Sequence, residues 1–329
     1  MIVVLTGVAS LLIAVLLTGA IRKLALSHGL LDVPNARSSH TRVTPRGGGG
    51  AIVLSSIGAL LALAYAGKIQ GSLLGALLVG GAAVAAIGFL DDRRPIPAGA
   101  RLVVHLGAAI LAVAWVGAPQ VSHVGAVLAV LAIVWSLNLF NFMDGIDGIA
   151  ASEAVFVLWA GALLLLITGG SPSVAAVSLT MGAACLGFLG WNWPPARIFM
   201  GDVGSGYLGY VIAVLALAAA RENVVTLWTW LILGGVFFVD ATVTLLRRLF
   251  RGERVYQAHR SHAYQWLARQ WGSHLRVTLV VTLVNLLWLL PWAWAAGRFP
   301  ALSIWIACGA LMPLVPLAMF AGAGRRELS

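Results

Sequence analysis

The feature that most constrains this chain is a succession of eleven apolar runs separated by short polar gaps. Each run is close to the roughly 20 residues that an α-helix needs to cross the hydrocarbon core of a bilayer. Because 60% of the residues are hydrophobic and only 10% are charged, a water-soluble fold would leave too much apolar surface exposed. We therefore predict an all-α integral membrane protein, one polytopic domain over residues 1–329, with about eleven membrane-spanning helices and ten as the alternative count, at 2–21, 48–66, 72–90, 102–118, 122–140, 150–168, 173–190, 205–220, 224–246, 276–296 and 301–322.

The positive charges predict the orientation of these helices. Of the 21 Lys and Arg residues, eighteen lie in alternate gaps, and the gaps between them hold only Lys68, Arg221 and Arg298. Since basic loops are retained in the cytoplasm, we expect the N-terminus outside and the C-terminus in the cytoplasm. The net charge of +10 is spread over short gaps next to apolar runs. This distribution favours contacts with membrane lipids and argues against a nucleic-acid partner.

A regular polar pattern ends the fifth apolar run, in the sequence N-L-F-N-F-M-D-G-I-D-G-I-A. It places two amides and two carboxylates at every third position from Asn138 to Asp147. A carboxylate beside hydrocarbon is costly unless it is paired or binds a cation. Because three residues advance about 300° around a helix, the four side chains would not share one face. We expect the two glycines of the stretch to end or bend the helix, so that Asn141, Asp144 and Asp147 form one wall of a site.

Other polar motifs lie on the same predicted cytoplasmic side, where the loops are 22–47, 91–101, 141–149, 191–204 and 247–275. The pair Asp91-Asp92 ends the third run, and F-M-G-D-V-G-S-G, which contains Asp202, precedes the eighth. Hard oxygen ligands gathered at one face suit Mg²⁺. Glycines before a helix N-terminus would also let N–H groups approach a phosphate. The alternatives are a solvated charge cluster for the pair and close helix packing for the glycines.

Basic and histidine residues form two further candidate regions. Arg42 and Arg46, with Arg37 before them, precede the four glycines 47–50. They are either topology signals before a packing face or a clamp for phosphates. His259 and His262 lie in the largest loop, where they would meet a phosphate or metal, or belong to an interfacial amphipathic helix. We expect Asp240 to pair with Arg247.

In combination and in this order, the motifs resemble the polyprenyl-phosphate N-acetylhexosamine-1-phosphate transferases, the MraY- and WecA-like enzymes of glycosyltransferase family 4. The resemblance implies Mg²⁺-dependent transfer of an N-acetylhexosamine 1-phosphate, or its deoxy form, from a UDP-sugar to undecaprenyl phosphate, with release of UMP. It implies an enzyme of the bacterial inner membrane with a cytoplasmic active site. By the same resemblance, Mn²⁺ could substitute for Mg²⁺, and the enzyme could form a homodimer. The form H-R-S-H-A-Y-Q is nearer the branch that begins O-antigen, and hence lipopolysaccharide, synthesis. Tyr264 and Gln265 stand where many members have further histidines.

The resemblance also implies individual roles. The expected catalytic residues are Asp91, Asp92 and His262. Asp91 and Asp92 match the family's acidic pair, implicated in cation or lipid-phosphate chemistry, and His262 matches the first histidine of the family's histidine motif. Asp202 matches the Mg²⁺ ligand, with Asp92 helping to hold the ion. The expected substrate-binding residues are Asn141, Asp144, Asp147, Phe199, which would stack on uracil, Arg101, Arg46, Arg42 and His259.

The chemistry of the reaction agrees with these roles. Both substrates are polyanions, so the enzyme needs charge neutralisation and alignment more than a strong base. We expect Asp91 to orient or deprotonate the acceptor phosphate; a two-step route through a phosphorylated Asp91 or Asp92 stays open. The alternative function is an ion-coupled transporter or lipid flippase. A transporter would place carboxylates near the bilayer midplane, often in inverted repeats, whereas these lie at the ends of runs.

Overall fold

The computed structural model describes residues 1–34, 40, 42–117, 122–221, 225–253 and 259–326. Within those ranges the chain is almost entirely helical. The strands described are β1 (Leu31–Asp32) and β2 (Thr44–Pro45), which pair antiparallel with Leu31 opposite Pro45. Arg37, one of the predicted clamp residues, lies outside the described residues.

Each predicted apolar run corresponds to helical structure. The helices in chain order are α1 (Ile2–Ser27), α2 (Gly49–Tyr65), α3 (Gly71–Arg93), α4 (Ala98–Val116), α5 (His123–Met143), α6 (Ile149–Thr168), α7 (Pro172–Asn192), α8 (Asp202–Ala220), α9 (Leu227–Leu233), α10 (Gly235–Phe250), α11 (Ala263–Trp271), α12 (His274–Arg298) and α13 (Pro300–Phe320).

Among the described residues, nine of these helices are long and apolar enough to cross a membrane. Helices α9 and α10 would form a tenth span, broken by a bend of 82° between them. Helix α2, with 17 residues, is the shorter apolar helix that completes the set of eleven runs. The predicted all-α membrane fold is confirmed. The predicted orientation and the single-domain boundary stay predictions.

Helix α8 forms the centre of the bundle. Its most apolar stretch is 83% buried by protein, compared with 22% for α4. Helix α8 packs mainly against α3 and α5, while α7 packs against α1 and α6. The interior helices are therefore surrounded by helices whose apolar side chains face outward, as expected for a protein whose outer surface contacts lipid.

The four-glycine run forms a packing contact where α2 begins. The Gly48 and Gly49 N–H groups donate to the carbonyl oxygens of Phe199 and Met200, at 2.9 and 2.8 Å. A Cβ atom on Gly49 would lie 2.4 Å from the Gly204 Cα atom, so this approach requires glycine. The geometry favours the packing interpretation of these glycines, because two of their N–H groups are used within the protein.

Helices α3, α7 and α8 each contribute residues from their two ends to two different cavities, so these cavities lie at opposite ends of the bundle. The predicted cytoplasmic loops collect at one end, although the helices run a few residues into them; α3, for example, continues to Arg93. At the other end, a cavity of about 210 Å³ is lined in part by Gln70, Ser171 and Arg221. The sequence motifs with candidate chemistry all lie at the first end.

Candidate active site

A cleft of about 210 Å³ opens where α5 and α7 end and α6 and α8 begin. Five carboxylate side chains and few basic groups line it. Its lining residues are Asp32, His40, Arg46, Asp92, Asn141, Asp144, Gly145, Ile146, Asp147, Asn192, Phe199, Gly201, Asp202, Ser205, Gln265 and His274.

Asp92 caps the central helix α8. Its Oδ1 atom accepts the N–H of Asp202 and its Oδ2 atom accepts the N–H of Val203, both at 3.1 Å. Gly201 has φ +75°, and a Cβ atom there would lie 2.5 Å from the Asp92 carboxylate. The capping carboxylate interacts favourably with the positive end of the helix dipole, so it holds α3 and α8 together at the cleft.

This cap shows that one sequence-based expectation is wrong. The glycines before α8 do not present its first N–H groups to a phosphate, because Asp92 accepts two of them. The next two N–H groups, of Gly204 and Ser205, donate to the Gly201 carbonyl oxygen at 3.1 Å. The N-terminus of α8 is satisfied from within the protein.

Arg101 connects the other aspartate of the pair to Asp202. Its Nη1 atom lies 2.5 Å from Asp91 Oδ2 and 3.2 Å from Asp202 Oδ2. The second Asp91 oxygen accepts the Ile96 N–H at 2.6 Å. The paired aspartates therefore differ: Asp92 holds a helix end, and Asp91 shares a guanidinium with Asp202.

Asp144 is the carboxylate of the cleft to which none of the described residues donates. Within the described part of the chain, no hydrogen bond or ion pair reaches its oxygens. Desolvation raises the pKa of Asp144 well above its usual value, and the negative charges of Asp202, Asp92 and Asp147 raise it further. A carboxylate with raised pKa among like charges is a natural place for a cation.

Asp147 has the opposite surroundings, although it is only three residues away. Its Oδ1 atom lies 3.2 Å from His274 Nδ1, and its Oδ2 atom accepts the Ala196 N–H at 3.0 Å. Burial raises the pKa of Asp147, but the hydrogen bonds from His274 and Ala196 and the positive charge beside it outweigh burial and lower the pKa overall. Asp147 therefore stays ionised, and it joins the turn after α5 to the start of α12.

The turn between α5 and α6 has the shape expected from its glycines. Helix α5 ends at Met143, and Gly148 takes φ +77°, a left-handed conformation that favours glycine. The Gly148 N–H donates to Asn192 Oδ1 at 3.0 Å. Asn141 donates to the Ser205 hydroxyl at 3.2 Å. Through this turn, Asn141, Asp144 and Asp147 all face the cleft.

The basic side of the cleft comes from the segment around β2. The Arg46 guanidinium donates to the Asp92 carbonyl oxygen, and the His40 ring packs edge-on against Phe199 with centroids 4.8 Å apart. Arg42 is exposed and lies outside the cleft lining. Of the predicted clamp residues that are described, Arg46 alone reaches the cleft.

His259 and His262 lie beside the cleft rather than in its lining. Their rings stack with centroids 4.9 Å apart, and His262 is only 2% exposed. The His262 Nδ1 atom lies 3.5 Å from Asp240 Oδ1. The expected pairing of Asp240 with Arg247 is wrong, because the Arg247 guanidinium donates to the Ala323 carbonyl oxygen.

The cleft also contains residues for which the sequence motifs predicted no role. His274 lies at the end of the largest loop, outside the histidine motif, and Asn192 follows the apolar run 173–190, so no spacing marked either of them. Ser205 lies inside the motif F-M-G-D-V-G-S-G, and His40 lies between Arg37 and Arg42 of the predicted basic region, so proximity to these candidates was the available signal. Within the described residues, no group of three or more His, Cys, Asp or Glu side chains is preassembled for a metal.

A helix bundle of membrane-spanning length whose polar side chains converge on one cleft is the architecture of an integral membrane enzyme. Residues 74–220 match the family model "Glycosyl transferase family 4". The chain is 32% identical over 298 residues to the probable undecaprenyl-phosphate N-acetylglucosaminyl 1-phosphate transferase of Bacillus subtilis strain 168, covering 86% of this chain and 82% of the relative. It is 31% identical over 318 residues to the decaprenyl-phosphate N-acetylglucosaminephosphotransferase of Mycobacterium tuberculosis strain H37Rv, covering 85% and 79%.

A third relative shares a smaller part of the chain. The phospho-N-acetylmuramoyl-pentapeptide-transferase of Moorella thermoacetica is 32% identical over 200 residues, which are 51% of this chain and 61% of that one. The protein therefore belongs to glycosyltransferase family 4, the polyprenyl-phosphate N-acetylhexosamine-1-phosphate transferases, and it is a phosphoglycosyltransferase. The family and the enzyme class predicted from the motifs are confirmed.

Proposed function

We propose that the protein transfers an N-acetylhexosamine 1-phosphate, or its deoxy form, from a UDP-sugar to undecaprenyl phosphate and releases UMP. Two relatives that match most of this chain are named for transfer of N-acetylglucosamine phosphate to undecaprenyl or decaprenyl phosphate. The motif variant around His262 supports a deoxy sugar and a role in O-antigen synthesis. The basic loops support a cytoplasmic active site in a bacterial inner membrane.

The observation that carries this proposal is that two cavities meet at the same two side chains. A second cavity of about 90 Å³ lies between α3, α4, α5 and α8, and it shares Asn141 and Asp202 with the main cleft. Much of its wall is apolar, and Arg101 and His105 supply its basic groups. The main cleft suits a polar nucleotide sugar, while the second cavity suits a phosphate that enters from an apolar environment.

The residues at this junction fit a magnesium ion. Asp202 at the junction and Asp144, which lines the main cleft beside it, supply hard oxygen atoms. Mg²⁺ is usually held by one or two carboxylates together with substrate phosphates. Asp92 is the weaker of the predicted ligands, because both its oxygens already accept N–H groups. When bound, the ion would neutralise charge on the diphosphate.

The reaction forms one phosphorus–oxygen bond and breaks another. An oxygen of the lipid phosphate attacks the β-phosphorus of the UDP-sugar, the bond between that phosphorus and the bridging oxygen breaks, and UMP leaves with the bond electrons. Arg101 would orient the lipid phosphate, since its guanidinium already lies between Asp91 and Asp202. Arg46 would screen negative charge on the opposite side of the cleft.

The geometry around Asp91 favours the one-step route. A nucleophilic carboxylate needs an accessible oxygen, yet one Asp91 oxygen binds Arg101 and the other binds the Ile96 N–H. Asp91 is thereby suited to position Arg101 and the acceptor phosphate. Stoichiometric UMP release from UDP-sugar alone, with a phosphorylated protein, would instead establish the two-step route.

The test is an assay of UMP release by the purified protein in lipid nanodiscs. The mixtures contain undecaprenyl phosphate, Mg²⁺ and one of several UDP-N-acetylhexosamines or their deoxy forms. We expect UMP release that requires both the acceptor and the ion, and Arg221→Gln, at the opposite end of the bundle, should release UMP at the wild-type rate. Absence of UMP with every donor would overturn the proposal.

A further inference from the structure

Gln265 is a buried amide to which the family's histidine motif assigns no role. It lies in the first turn of α11 and lines the cleft beside Gly145, yet it is only 7% exposed. Its place in the sequence is one of the two where many family members have a histidine. A neutral amide at this position changes which hydrogen bonds the cleft can offer.

The backbone of α11 determines which end of the amide faces the cleft. The Gln265 Oε1 atom accepts the N–H of His262 at 3.4 Å, in a capping box at the helix start. An N–H group can only donate, so the oxygen must face His262 and the NH₂ group must point the other way. That NH₂ group points to the turn between α5 and α6, where a Cβ atom on Gly145 would lie 2.9 Å from Nε2.

The helix that carries this amide is held on two sides. Asp240 accepts the N–H groups of Ala263 and Tyr264 at 2.8 and 3.0 Å. The Tyr264 hydroxyl donates to the Phe142 carbonyl oxygen at 2.9 Å, and the Gly324 N–H donates to the Ser261 carbonyl oxygen at 2.7 Å. The position of the NH₂ group is therefore set before any substrate binds.

The NH₂ group has no acceptor within the described part of the chain, because the one bond of this side chain uses its oxygen. The Gln265 side chain as a whole is more than nine-tenths buried, but Nε2 is not among its fully enclosed polar atoms, so this donor is open to the cleft. The carboxylates of the cleft repel an anionic substrate. A neutral NH₂ group can donate a hydrogen bond to a substrate oxygen without adding to this repulsion, and it thereby contributes specificity.

We propose that Gln265 Nε2 donates a hydrogen bond to an acceptor oxygen of the bound nucleotide sugar and acts as a specificity-determining residue. The inference rests on the proposed function, since it assumes that the cleft binds a UDP-sugar. The acceptor is an oxygen of the sugar, such as the N-acetyl carbonyl, or an oxygen of the nucleotide diphosphate. The two sources share one chemistry, and the ligands of the test separate them.

Two substitutions test the oxygen and the NH₂ group of the Gln265 amide separately. Gln265→Glu keeps an oxygen for the His262 N–H and removes the donor, at the cost of a negative charge. Gln265→Met keeps the length of the side chain, adds no charge and removes both bonds. Gln70→Glu and Gln70→Met, at the opposite end of the bundle, are the matched controls.

The measurements are the dissociation constants for a UDP-N-acetylhexosamine, UDP and UMP, together with the thermal unfolding of each variant in nanodiscs. We expect both Gln265 variants to bind the UDP-sugar about tenfold more weakly than the wild type. Gln265→Glu should unfold close to the wild-type temperature, because its capping box remains. Weaker binding of the UDP-sugar alone assigns the acceptor to the sugar. Weaker binding of the UDP-sugar and UDP, but not UMP, assigns it to the β-phosphate, and equal weakening of all three ligands assigns it to the UMP part of the nucleotide.

The proposal is overturned if Gln265→Met binds the UDP-sugar as the wild type does, or if only the charged variant loses affinity. Failure of the proposed function would look different, because the wild type itself would then release no UMP from any donor and acceptor pair.

Discussion

Two buried aspartates of this protein make the same backbone contacts in different places. Asp92, 5% exposed, accepts the N–H groups of Asp202 and Val203; Asp240, 4% exposed, accepts those of Ala263 and Tyr264. Each carboxylate thus caps the start of another helix.

The difference lies in what surrounds each cap. Asp92 lines the cleft, and the helix it caps begins with Asp202, which faces both cavities. Asp240 is next to Thr244 and His262, outside the cleft lining, and the helix it caps carries Tyr264 and Gln265. A carboxylate in an apolar span is therefore not itself a sign of chemistry. How strongly the loss of a capping carboxylate affects the active site depends on which residues lie on the helix that it caps.

Substitution of Asp202, which the Asp92 cap places at the junction of the two cavities, should have the largest effect on turnover. Asp202→Asn should lower the rate of UMP release at least about a hundredfold, because a carboxylate that would bind the ion becomes neutral. Added Mg²⁺ should not restore it. UMP release by protein of confirmed membrane insertion is the measurement, and near-normal turnover would show that the ion is held elsewhere.

Asp92→Asn should have the next largest effect. An asparagine offers one oxygen and one NH₂ group, so one of the two capped N–H groups would face a donor. We expect a loss of about 1–3 kcal/mol in the free energy of unfolding, since a buried donor is left unsatisfied. Turnover should fall roughly a hundredfold, because the displaced helix start carries Asp202. Thermal unfolding and UMP release, measured on one preparation, check both.

Asp240→Asn makes the same chemical change at the other cap, and it is the matched comparison. The loss of stability should be similar, about 1–3 kcal/mol. Turnover of the folded fraction should fall only a few-fold, because Asp240 acts on the cleft through α11. If both aspartate variants lose turnover equally, the distinction drawn between the two caps does not hold.

The smallest effect should follow loss of one hydroxyl on the helix that Asp240 caps. Burial, with the negative charges of Asp240 and Asp144, raises the pKa of Tyr264 well above its usual range, so the hydroxyl stays protonated and donates. Tyr264→Phe removes that bond to Phe142, worth about 1 kcal/mol. We expect KM for the UDP-sugar to rise a few-fold while kcat changes less.

Tyr210→Phe is the control for that variant. The Tyr210 hydroxyl is buried and bonds to the Ala76 and Ala108 carbonyl oxygens, away from the cleft. It should lose similar stability and keep its KM. A rise in KM with both variants would show that the Tyr264 effect is not specific to the turn between α5 and α6.

The cleft shows how far sequence patterns reach. The spacing of Asn141, Asp144 and Asp147 indicated that a turn, not a straight helix, must bring them together, and α5 does end at Met143. The same pattern could not distinguish Asp144 from Asp147. Asp144 has no partner among the described residues, whereas Asp147 contacts His274, 127 residues later in the chain. Contacts at that separation depend on how helices pack, and a local motif does not record them.

By itself, the sequence determined the all-α membrane fold, the family and the end of the bundle at which the polar motifs collect. It could do so because hydropathy and motif spacing are properties of neighbouring residues. Only the tertiary structure decided what each aspartate does: Asp92 caps α8, Asp91 shares Arg101 with Asp202, and Asp240 holds α11. The physical reason is that a buried carboxylate must be satisfied by whichever donors packing brings to it, and for Asp92 these lie 110 and 111 residues away.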